Sequence, residues 1–437
     1  MESGKIHSLK YISLYIKGER MNNKERDEKF LKSWLKKKIS ITTSTVVSFL
    51  ITGAIGGGAA YGAGNKAGTG GNNNSVAWGQ GSSVDNDSVA VGANARAVSA
   101  SGGVPAVTSK GVAIGNNAKA EGSISIGELS SSNHFGVAVG YKAGAQNTTT
   151  GSSFSNVTIG ANTRVGVQGT QAAQGIAIGS GVQAHEGAWA KGDQSISIGA
   201  NTIASGDSSI AIGGDDLLSV STKTSSYSDA KFDKNGNKIG GNSNNTASIN
   251  NIFNTLTGRG AILHQGTGTD GKFYTAWRNT ESGQGAVALG VKSISGDIAL
   301  AIGTFSEATG TNSVAIGTGA QTPQSGAVAI GGGSTTYGLQ GRQITDADIA
   351  LTDGTTMSLT NFAGASGVLE GSMVSFGKIG NERQLKNIAP GAVSATSTDG
   401  INGSQLFAVA KKLGDDISKF KYVSIKSNDA GNKLNDG

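Results

Sequence analysis

One phrase constrains the fold of this chain more than anything else. A small residue, an aliphatic, a small residue, an aliphatic and then glycine recur thirteen times after Gly71. The series runs SVAWG (75–79), SVAVG (88–92), GVAIG (111–115), SISIG (123–127), GVAVG (136–140), NVTIG (156–160), GIAIG (175–179), SISIG (195–199) and SIAIG (209–213). After a gap it resumes as AVALG (286–290), ALAIG (299–303), SVAIG (313–317) and AVAIG (327–331). Alternation with period two predicts short strands, because successive Cβ atoms point to opposite faces. In Ser313-Val314-Ala315-Ile316 the aliphatics share one face and the small residues the other. A weaker alternation of small residues, such as Ala118 and Ala120 or Thr202 and Ala204, lies between phrases. Each unit therefore supplies two very short strands, with glycine turning the chain where a positive φ is needed. A single coil cannot bury its aliphatic face, so stacked coils are expected to bury it as one thin continuous core.

Composition supports this reading. The chain of 437 residues holds 70 glycines, 3 prolines and no cysteine, with 5% aromatics and 15% charged residues. Collagen needs glycine at every third position with abundant proline, and is excluded. A disordered Gly/Ser/Ala tract would not keep its aliphatics in register through thirteen phrases. The formal charge of +6 lies entirely in residues 1–60, with eleven Lys/Arg against five acids. Residues 61–437 are balanced, which speaks against nucleic acid and against an electrostatic ligand such as heparin.

Three lysines (Lys36, Lys37, Lys38) precede an apolar run at 39–55 and a small-residue zone near 59–63, the layout of a secretory signal. Residues 1–63 are read as this leader. Lys17-Gly18-Glu19-Arg20 before Met21 suggests a ribosome-binding site read as protein, which would make Met21 the true start.

The phrases resemble the head repeats of YadA-type trimeric autotransporter adhesins. What the resemblance implies is an all-β, left-handed parallel β-roll solenoid head, homotrimeric, over residues 64–213 and 286–335. Residues 373–407 resemble the neck of that family through Gly380, Asn381, Arg383, Gln384, Asn387, Ile388, Ala389, Gly391, Asp399, Ile401, Asn402, Gln405 and Leu406. In the family this neck crosses chains and locks the trimer. Asp399 is expected to cap the following helix. Leu406, Val409, Leu413 and Phe420 follow at coiled-coil spacing, with Asp416 at a core-like position. Residues 336–372 are read as a connector and 408–437 as the start of a stalk, with the outer-membrane anchor lying beyond this chain.

The repeat is interrupted by an insertion at 214–285, and interruptions of solenoids often form the binding face. Its aromatic and arginine side chains are the receptor-binding candidates: Tyr227, Phe232, Phe253, Arg259, Phe273, Tyr274, Trp277 and Arg278. The competing expectation is that these residues pack into a small core of the insertion itself. No cofactor or metal is expected, nor any enzyme activity. The near-match to a phosphate loop at 266–272 lacks its Ser/Thr, and the Asp233-Lys-Asn235-Gly-Asn237 run reads as a hairpin turn. His7, His134, His185 and His264 are isolated. The family resemblance implies adhesion to a host receptor or matrix protein, of the CEACAM type or collagen, fibronectin or laminin. Self-association in autoaggregation or biofilm is the alternative.

Overall fold

The computed structural model describes residues 75–85, 87–98, 110–145, 155–167, 173–183, 186–259, 279–420, 426–427 and 433–434. The leader lies outside them, as do Phe273, Tyr274, Trp277 and Arg278. The chain divides into two compact units, Met1–Asn201 and Thr202–Gly437.

All thirteen phrases are strands. In the N-terminal unit eight of them, from Val76–Trp78 to Ile196–Ile198, form one parallel ladder in strict register. Seven alternating strands, Ser83–Val84 to Trp189–Ala190, form a second parallel ladder. The C-terminal unit repeats the plan. Ile210–Ile212, Val287–Leu289, Leu300–Ile302, Val314–Ile316 and Val328–Ile330 stack in order. Thr202–Ala204, Thr280–Ser282, Ile294–Ser295 and Glu307–Ala308 make the facing ladder. Thr280–Ser282 falls inside the range assigned to the insertion, so the roll resumes earlier than the phrases alone indicate. Val374–Ser375 adds a last rung on Val328 and Ala329. Met373-Val-Ser-Phe-Gly377, the first residues of the stretch expected to form a neck, are thus a degenerate fourteenth phrase.

The interior differs from the expected aliphatic core. Ala90, Ala113, Ala211, Ala288, Ala301, Ala315 and Ala329 are fully buried, opposite Ala97, Ala120, Ala190, Ala204 and Ala308. The valines and isoleucines point outward. Stacking closes the small-residue face and leaves the aliphatic face open. The physical reason is thickness. Only residues 303–306 separate Leu300–Ile302 from Glu307–Ala308, and so short a corner holds the two ladders so close that mostly alanine and serine fit between them, with Val165, Thr158, Thr202 and Thr280 the largest side chains on the inward positions of the strands. Hydroxyls at the corners satisfy the backbone there, as where Ser293 and Ser306 donate to the carbonyls of Gly290 and Gly303 at 2.9 and 2.8 Å.

The closing glycine answers two demands at once. Gly317 has φ +131°, and a Cβ there would stand 2.5 Å from the carbonyl carbon of Gly331 in the next coil. Two residues after the closing glycine the chain turns left-handed, which suits Asn94, Asn117, Asn162 and Asn201.

Candidate interaction surfaces

The first surface is the open aliphatic face. In the N-terminal unit it carries Val76, Val89, Val112, Ile124, Val137, Val157, Ile176 and Ile196 in one file, with a second file two residues on. Ile114, Ile126 and Ile159 remain 37–40% exposed despite neighbours above and below. Leu289 and Ile330 are similarly open in the C-terminal unit, at 42% and 39%. Monomeric soluble proteins rarely show a contiguous apolar surface of this extent.

The second surface is the insertion. It leaves the roll at the Gly213 corner, and its base is clamped by Thr280, whose Oγ1 lies 2.8 Å from the carbonyl oxygens of Gly214 and Gly290. Thr224–Tyr227 pairs antiparallel with Asn245–Ser248. Lys231–Phe232 and Lys238–Gly240 form a shorter hairpin, as the turn reading of residues 233–237 expects. At that turn Asp233 accepts from the Asn235 and Asn237 amides and from Asn237 Nδ2. A helix follows at Ile249–Thr257, capped by Ser248 and ended by Gly258 in the left-handed region. It lays Phe253 and Ile249 against Leu217, Val291 and Phe305.

The eight candidate residues separate into three groups. Phe253 is buried, its ring 5.8 Å from that of Phe305, and so cannot meet a receptor. Arg259 is nearly covered, pairs with Glu307 at 3.0 Å and lies over the Phe305 ring. For these two the internal-packing expectation describes the structure, because both hold the insertion to the roll. Tyr227 is half-buried and Phe232 is 59% exposed on the outer hairpin, beside Ile239 at 66%. Phe273, Tyr274, Trp277 and Arg278 lie outside the described residues. The sequence did carry a missed signal for the docking site. At the left-handed corners, where most coils use asparagine or glycine and others Leu129, Lys142 or Lys292, a phenylalanine, Phe305, stands under the insertion helix.

The third surface is the segment 373–420, which includes the residues expected to form a neck. Arg383 closes the end of the roll, donating from Nη1 to Ser334 Oγ and the Phe376 carbonyl and from Nη2 to the Gly332 carbonyl, at 2.5–2.7 Å. Asn381 closes a tight turn onto Lys378, and Asn387 takes φ +60°. The cap of the helix Gly403–Phe420 is Asn402, not Asp399. Asn402 Oδ1 accepts from the Gln405 amide, and Gln405 Oε1 accepts from the Asn402 amide. This reciprocal capping box wins because its two members are three residues apart. Asp399 instead accepts from the Ala392 amide at 2.9 Å, while Gln405 Nε2 and Asn402 Nδ2 reach back to the carbonyls of Gly391 and Ile388. Ile388, Ile401, Leu406, Val409 and Leu413 are 42–61% exposed. Asp416 lies between Lys412 and Lys419, whose hydrogen bonds hold its carboxyl below the usual range. Beyond the helix, Lys426–Ser427 and Lys433–Leu434 pair antiparallel.

Among the described residues no group of three His, Cys, Asp or Glu side chains could hold a metal, and no helix is long and apolar enough to cross a membrane.

Comparison with known proteins singles out the roll. The family model described as the YadA head domain repeat (2 copies) matches residues 190–215, 295–320 and 308–334. No curated protein matches the chain. Among solved structures, the C-terminal YadA-like domain of a Burkholderia pseudomallei protein is 22% identical, with 45% of this chain and 71% of that one covered and a TM-score of 0.21.

Proposed function

We propose that this chain, which carries YadA head-domain repeats on an all-β roll, is the exported part of a homotrimeric bacterial surface adhesin. The observation that carries the reading is the aliphatic face. In each unit an isolated chain would leave a double file of valine and isoleucine, joined by Trp78, Leu289 and Leu300, partly open to water, and three copies packed on a common axis would cover it. The resulting core lies between chains, where stacking within one chain cannot make it. The exposed strip Leu406, Val409 and Leu413 continues the assembly as a short parallel coiled coil, with the neck residues crossing between chains. Threefold display turns weak individual contacts into useful avidity.

The contact with a host-surface or matrix protein is assigned to Phe232 on the outer hairpin of the insertion, to Tyr227 on the strand pair below it, and to Phe273, Tyr274, Trp277 and Arg278. The test is flow cytometry of cells displaying the protein with and without residues 214–279, a deletion that keeps the Thr280–Ser282 rung. Loss of host-cell binding with clumping intact is expected. Loss of clumping with host-cell binding intact would instead establish self-association as the role.

A further inference from the structure

The zero charge balance of residues 61–437 conceals a segregation. In the N-terminal unit the outward face of the small-residue ladder carries Arg96, Lys119, Ser131, Gly144, Arg164 and Trp189 in register. Lys191, two residues beyond Trp189, shares that face. Four cations therefore line five successive steps, about 24 Å at strand spacing. The one acid among these strands is Glu121, 4.0 Å from Arg96 with both side chains exposed, a pairing too weak to neutralise the row. Ser131, with a small side chain, and Gly144, with none, lie between the pair Arg96/Lys119 and the pair Arg164/Lys191, leaving a shallow floor between two cationic walls.

The second pair is prearranged. The Arg164 guanidinium lies 4.0 Å and the Lys191 ammonium 4.4 Å from the centre of the Trp189 ring, whose Nε1 donates to the Gly166 carbonyl at 2.8 Å. Two like charges on one ring repel each other, and a bound anion would relieve that repulsion. Arg164 Nε is buried with no hydrogen-bond partner among the described residues, so binding at this side chain would fall to its terminal nitrogens. Because the ring is already taken by cations, no aromatic face remains on this row for a nucleobase to stack on. The aliphatic face lies on the other ladder, so assembly through it leaves this one accessible.

We propose that this face binds a linear sulfated polysaccharide, with Arg96, Lys119, Arg164 and Lys191 contacting successive sulfate or carboxylate groups. The inference does not depend on the insertion or on a host protein receptor. The test is titration of the full chain with a fluorescent heparin-derived oligosaccharide at several salt concentrations. Binding that weakens steeply with salt is expected, as counterions are released from a polyanion. R96E/K119E, at two exposed positions away from Trp189, should lower affinity at least tenfold. K231E/K234E, an equal charge change on the insertion hairpin, should leave it unchanged. Absence of binding, equal binding of the desulfated oligosaccharide, equal loss in both variants, or tighter binding of single-stranded DNA of the same charge would each overturn the proposal. Sedimentation of every variant as the wild-type assembly separates these outcomes from a failure of the trimer.

Discussion

Replacing Leu289 by aspartate tests the open face directly. Burying a leucine side chain fully is worth about 1.5–3 kcal/mol relative to leaving it exposed. Leu289 is 42% exposed in the single chain, so covering it contributes a further ~1 kcal/mol per chain, or ~3 kcal/mol per rung of a trimer. L289D forfeits that gain and places three carboxylates together near the axis. Each ion costs several kcal/mol to desolvate without a partner, so the rung would oppose assembly by on the order of 10 kcal/mol or more at neutral pH. In an isolated chain the side chain already reaches water, and the same change would cost only about 1 kcal/mol. Burial in the assembly would raise the carboxyl pKa above its value in free chains. A raised value means proton uptake on assembly, so acidification should restore the trimer. The assay is sedimentation velocity together with thermal melting, run at neutral and acidic pH. The reasoning is refuted if wild type sediments as a monomer, or if L289D matches wild type in both mass and melting temperature at neutral pH.

Three other outcomes follow from named contacts. G317A meets both a φ of +131° and the Gly331 carbonyl carbon at 2.5 Å; it should destabilise the C-terminal unit by about 3 kcal/mol or more, since backbone cannot give way as a side chain can. A chemical-denaturation midpoint close to wild type would contradict this. F253A should cost about 3 kcal/mol at the seat of the insertion helix, read as faster hydrogen exchange over residues 249–257 while the strand amides of 300–316 keep their protection. Asp229 is held below the 3.8 of a free aspartate, first by the Asn242 amide and then by Asn245 Nδ2. A depressed folded value means its stabilisation is complete above 3.8 and is lost as pH falls through the lower value. An NMR titration of Asp229 should therefore inflect below 3.8, and an inflection at or above it would remove these hydrogen bonds from the account.

Strand positions were legible in the residues because their causes are local. Alternation fixes a strand and its two faces, and a glycine before a left-handed corner fixes the turn, so all thirteen phrases could be located without coordinates. Which face lies inside was not legible. Hydrophobicity pointed to Val314 and Ile316, yet the interior went to Ala315, because a corner of four residues sets the gap between ladders and that gap is a property of the closed coil. The same holds for the insertion and the neck. Composition marked Phe253, Arg259, Tyr227 and Phe232 alike, and only packing against Phe305 and Glu307 drew the first two inward while the outer hairpin kept Phe232 in water. Asp399 read as the cap, but the cap is Asn402, because Gln405 stands within reach of its amide. The neutral charge count was likewise correct as a sum and silent about place. The sequence alone determined a periodic β-coil with glycine corners; tertiary closure decided its inside, its exposed apolar face and the row of cations on its other ladder, because each depends on which distant residues share a side of the roll.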